Sequence, residues 1–221
     1  MFDIHQSLHS QHGEIDEERV EKYINGLMDE FVNSAEAQPV FDQYGSSDWP
    51  VLMMQYALDY LGVTPHEMSL REFNEVVFEL FPRKVSTEPE SAASIVAELR
   101  AFWTFLNRQY GLTNAVPIAA SLTGTAVKRL ERELANPANY GMAKSFFMRG
   151  MAAGFDMTTQ EGISEFMNAY NSGLAGGAGE IEDIPSPPMI EDFPSPLSPK
   201  QRAEKRKKRK AQRQARKRNR K

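Results

Sequence analysis

TEPESAASIVAELRAFWTFLNRQYG, residues 87–111, places Ile95, Leu99, Phe102, Trp103, Leu106 and Tyr110 at three- and four-residue intervals. That period lines apolar side chains along one face of an α-helix. Thr87 and Glu90 stand at capping-box spacing and Gly111 supplies a stop, so the pattern predicts a helix over 89–110. An aromatic stripe can stack bases or a ligand. At helical spacing it more often packs, and this helix is expected at the centre of the core.

The flanks repeat the pattern. Upstream, Ser69 and Glu72 form a capping box, with Met68 and Phe73 placed for a hydrophobic staple. Leu70, Phe73, Val76, Val77 and Leu80 follow, and Pro82 is expected to end that helix, with Arg83 and Lys84 beyond its negative dipole end. Trp49-Pro50 opens an earlier helix that stops at Gly62. Asp16 caps the first, which carries Val20, Ile24, Leu27, Met28 and Phe31, ends at Gln38-Pro39 and gives way to a loop over 42–47.

Downstream, Pro117 opens a stretch interrupted at Thr123-Gly124-Thr125, which predicts a kink or two short helices. Lys128, Arg129 and Arg132 interleave with Glu131 and Glu133 there as a solvated face. Asn136-Pro137 opens a helix with Tyr140, Ala143, Phe147 and Met151 in one stripe. Its methionines suit either adaptable core packing or a partner groove, and packing is preferred. Thr158 and Glu161 open a last helix that stops at Asn171-Ser172-Gly173. No segment alternates as a strand does. The fold class is therefore all-α: a single domain of about six to eight helices over 16–172, behind a flexible N-terminus over 1–15.

Composition shifts at Gly173. Residues 173–199 form a Gly/Pro-rich acidic linker that contains a tandem nonapeptide repeat, IEDIPSPPM (181–189) and IEDFPSPLS (190–198), identical at six of nine positions. Such a segment builds no core of its own and is expected to be disordered. Ile184 and Phe193 are the apolar anchors of a candidate docking motif, duplicated so that avidity would rise. A slipped duplication in an unselected linker explains the repeat as well.

Residues 200–221, also expected to be disordered, hold fourteen bases against one acid, Glu204. The bases are Lys200, Arg202, Lys205, Arg206, Lys207, Lys208, Arg209, Lys210, Arg213, Arg216, Lys217, Arg218, Arg220 and Lys221. The net charge of −4 thus hides a +13 tail, a −5 linker and a −12 helical part. Lys and Arg neutralise phosphates and release counterions, which gives salt-dependent, sequence-tolerant affinity. The tail has no aromatic to stack bases and no apolar residue larger than Ala to insert into a membrane.

Catalytic signals are missing. With no cysteine, disulfides, zinc ribbons and thiol chemistry are excluded. His5, His9 and His12 would share one face of a helix as a metal site, but Ser7, Ser10 and Gly13 weaken a helix there. His66 is the one histidine of the helical part and is read as a satisfied or surface residue rather than a catalytic base. HExxH, GxGxxG and Walker-type loops are absent. No catalytic, metal-binding or cofactor-binding residue is assigned, and no cofactor is expected. The N-terminal residues lack a signal-peptide pattern, and no apolar run nears the roughly 20 residues of a bilayer span, so a cytoplasmic protein without a membrane span is expected.

The stretches LFPRKVS (80–86), LRAFWTFLNRQYGLTNA (99–115) and NPANYGMAKSFFMRGMAAGFDMTTQEG (136–162) resemble an uncharacterised bacterial all-helical family with a Lys/Arg-rich C-terminal tail. The resemblance covers about residues 50–172 and implies one helical domain plus tail, with no catalytic or ligand residue to carry over. The resemblance also implies related segments beside SEC-C-type or plasmid-derived modules; the Cys/His zinc site of a SEC-C module is one that this cysteine-free chain does not carry. The preferred function is a non-enzymatic helical protein whose tail binds nucleic acid (RNA, ribosome or DNA) or another polyanion without sequence specificity. The alternatives are a protein–protein adaptor using the IED(I/F)PSP motif, and an enzyme with an unrecognised pocket in the helical domain.

Overall fold

The Asp16 carboxylate accepts from the Arg19 backbone N–H at 3.2 Å and opens α1 (Glu17–Val32), with Glu17 and Glu18 at its positive dipole end. This start, and the others below, come from a computed structural model that describes residues 2–8, 15–45 and 48–175, the last three without their side chains. α2 (Gln38–Tyr44) follows where a helix end and a loop were expected. Pro39 sits in its first turn, where a missing N–H costs nothing, and Gly45 closes it at φ 73°. α3 (Trp49–Tyr56) runs on through a π-helical turn, Ala57–Leu61, to Gly62 at φ 64°.

Ser69 and Glu72 make the expected capping box at the head of α4 (Leu70–Glu75): the Ser69 N–H donates to Glu72 Oε2 at 2.7 Å. Pro82 does not stop this rod. A π-helical turn, Val76–Leu80, leads directly into α5 (Phe81–Lys84), and the helical path reaches Lys84. The wider turn relieves the clash that a proline ring makes with an ordinary α-helical carbonyl.

A 3-10 turn, Pro89–Ser91, precedes α6 (Ala92–Tyr110). Thr87 donates to Ser91 Oγ here instead of closing a box with Glu90. α7 (Ala115–Ser121) and α8 (Gly124–Ala135) are two helices broken at Leu122-Thr123. Asn136 caps only a 3-10 turn, Pro137–Asn139, through a bond from the Ala138 N–H, and α9 (Met142–Ala152) starts after Gly141. The cap of α10 (Gln160–Ala175) lies one residue later than expected: Thr159 Oγ1 accepts from the Gly162 N–H at 3.1 Å. α10 also continues past Gly173, where a stop was expected. Among the described residues the structure is all-α, with no strand.

α6 is the centre, as its sequence predicts. Ile95, Leu99, Phe102, Trp103 and Leu106 are wholly buried, each a burial worth about 1.5–3 kcal/mol over exposure. α7 folds back on α6, while α3, α8 and α2 pack around it and α1 packs on α3. Phe31 meets Phe102 edge-on at 5.2 Å, and Phe73 meets Trp103 at 5.8 Å, the T-shaped geometry that aromatic quadrupoles favour.

The N-terminus departs from the flexible arm expected over 1–15. Ile4 and Leu8 are buried in the main core, and Tyr23 Oη donates to the Ile4 carbonyl. Phe2 lies 5.2 Å from the Tyr23 ring, over Gly26, where a Cβ would sit 2.9 Å from the Phe2 ring. Residues 2–8 are therefore a strap, held by three apolar side chains and a backbone slot. His9 and His12 lie outside the described residues.

Candidate functional site

The last two helices stand apart from the main core. Phe146 meets Phe166 at 4.7 Å and Tyr170 at 5.9 Å, and Phe155 meets Phe166 at 5.4 Å. This aromatic cluster closes α9 onto α10 but belongs to no part of the main buried cluster. The pair joins the body along a narrow seam. The Gly141 N–H donates to the Arg83 carbonyl at 2.9 Å, and Lys144 Nζ donates to the Pro82 carbonyl at 3.0 Å. A Cβ on residue 141 would lie 2.8 Å from the Arg83 oxygen, so the approach needs glycine.

Beside the seam lies an apolar groove of 670 Å³ between the end of α5 and the facing sides of α9 and α10. Met142, Phe147, Ile163 and Met167 give it apolar wall, and Tyr140 and Tyr170 add ring faces. Met142 and Met167 are 55% and 47% exposed, among the largest apolar exposures of the described surface. Four bases line it, Arg83, Lys84, Lys144 and Arg149, and no acid does. Lys84 Nζ stands 5.5 Å above the Tyr60 ring. Lys144 is 2% exposed and lies 4.2 Å over Tyr140. Burial pushes its amine down to about 8, against a smaller upward pull from Glu88. The groove can thus take an apolar side chain into its floor and a carboxylate at its rim.

The expected packing role of the α9 stripe is corrected here. Phe147 is half-buried and Met151 is exposed, whereas Lys144 and Gly150 are the buried residues of α9. The methionine content was the signal for a groove.

Of the histidines considered above as a helical triad, only His5 is among the described residues. His5, exposed on the strap, packs edge-on to His66 with ring centroids 4.6 Å apart, and His66 Nδ1 is 2.9 Å from Thr64 Oγ1. These groups border a hollow of 110 Å³ with Glu67. Among the described residues no group of three or more His, Asp or Glu is placed to hold a metal. Arg129 stacks on Phe78 at 4.1 Å and Arg132 pairs with Glu133 at 3.0 Å, which uses two cations of the α8 face within the fold. All fourteen tail bases, together with Ile184 and Phe193, lie outside the described residues. Among those that are described, no helix is long and apolar enough to cross a membrane.

Compared with protein families, curated proteins and solved structures, the chain matches none. Function has to be argued from its own residues.

Proposed function

We propose that this chain is a non-enzymatic helical protein that holds a nucleic acid or another polyanion through Lys200–Lys221. One observation carries this: fourteen bases against one acid in twenty-two residues, attached to a helical part of net −12. The helical part as a whole repels phosphates, so attraction has to come from the tail. Neutralising several phosphates makes affinity fall steeply with salt, by orders of magnitude between about 50 and 200 mM for six or more contacts.

The test is a salt series of RNA and DNA binding by the full chain and by a variant with Lys205, Arg206, Lys207, Lys208, Arg209 and Lys210 changed to Gln. The variant is expected to bind at least about tenfold more weakly at low salt, with a shallower salt slope. Equal affinity, or binding that ignores salt, would exclude the tail as the binding element.

The groove favours a second reading, an adaptor that takes an acidic peptide bearing an apolar anchor. Its support is the pairing of an apolar floor with a base-only rim. Peptide grooves combine apolar pockets for anchors with a few polar groups that fix orientation.

A further inference from the structure

The bases of the helical part are unevenly placed. Before Arg83, three bases face sixteen acids; from Arg83 to Ala175, nine bases face eight acids. The helical part's negative charge therefore lies in its first half, and the groove lies in its second. Any acidic segment near both is drawn to the groove side.

One such segment leaves α10 directly. α10 runs through Ala175, and Tyr170, Met167 and Ile163 of the groove lie on that same helix. Tyr170 is about 7.5 Å along the axis from Ala175 at 1.5 Å per residue. Nine residues beyond Ala175 comes Ile184, and nine further comes Phe193. At up to about 3.5 Å per residue, these anchors reach about 30 Å and about 60 Å from the helix end. Each copy offers what the groove lacks: Glu182-Asp183 or Glu191-Asp192 for the rim, Ile184 or Phe193 for the floor, and Pro-Ser-Pro beyond. Proline-rich segments dock on aromatic-lined grooves because their extended form costs little entropy to fix. Tethering adds an effective concentration in the millimolar range.

We propose that the groove of α5, α9 and α10 is the seat of this chain's own 181–198 repeat, one copy at a time, docked in cis. The inference rests on the groove being a peptide site and not on the polyanion reading of the tail. Docking would also bring the tail's origin to a fixed place on the body.

The absence of cysteine makes the test direct. A spin label is attached to a Ser198→Cys variant of the full chain, and the methionine methyl signals are read by NMR. The expected result is a twofold or greater loss of intensity at Met142 and Met167, with Met53 and Met54 of the core spared. The loss should not depend on protein concentration and should vanish in Ile184→Ser/Phe193→Ser. No loss, or a loss that grows with concentration as a second copy would give, overturns docking in cis. A synthetic 181–198 peptide is then added to full-length Ile184→Ser/Phe193→Ser. If it shifts Met142 and Met167 while the wild type shows no label effect, only self-docking fails. If it shifts neither, the groove reading fails too.

Discussion

Lys144 carries an ammonium on a side chain with 2% exposure, held between the Pro82 carbonyl and the Tyr140 ring. Desolvation disfavours its charged form, so the folded amine titrates near 8 while the unfolded amine titrates near 10.5. Between those values the unfolded chain binds more protons than the folded one, and stability rises with pH. The penalty is present in full below about pH 8 and gone above about 10.5. Lys144→Met lacks this term. The unfolding free energy of wild type minus that of Lys144→Met, from urea melts at pH 7 and pH 10, is expected to increase with pH. A flat or falling difference would show that the amine is not desolvated. Glu98 is a second ionisable side chain in the interior, 0% exposed, and accepts from the Trp49 N–H at 3.1 Å at the head of α3. Glu98→Ala leaves that N–H without this acceptor, which is expected to cost about 1–3 kcal/mol, read by chemical denaturation.

At the scale of elements the seam between α5 and α9 turns on one atom that is not there. Gly141→Ala sets a methyl 2.8 Å from the Arg83 oxygen, and neither backbone can yield without losing the Gly141-to-Arg83 bond. The expected outcome is faster amide exchange through 142–152, with α6 amides unchanged; equal loss in both would mean the seam is not local. Helix periodicity was enough to place α1, α3 and α6, though not the end of α1, because each buries one continuous stripe. It failed where burial depends on what lies opposite. Pro39 and Pro82 were taken as breaks, yet a first-turn position and a π turn accommodate them. The strap uses only Phe2, Ile4 and Leu8, too few for a period, and the cue was Gly26 on the facing helix. The stripe of α9 has the same spacing whether a neighbour covers it or it borders an open groove. Only the tertiary arrangement shows which, and it also puts Lys144 inside.

Across the whole molecule, charge divides at Arg83 and packing divides near Gly141, two points far apart in the chain that the seam brings together. The acidic first half holds the strap and the first helices, the near-neutral second half holds the groove, and the acidic repeat and basic tail follow it. The seam has a consequence for how the protein comes apart. α9 and α10 are tied to each other by their own aromatic cluster and to the body by little more than two hydrogen bonds and their surroundings. Sub-global opening follows such lines of thin contact. Heating should therefore release residues 136–175 before the main core melts. Within residues 15–175, limited proteolysis at rising temperature should first cut between Asn136 and Gln160 and leave a resistant fragment ending near Ala135. If the groove seats the repeat, the same experiment on Ile184→Ser/Phe193→Ser would show that first cut at a lower temperature.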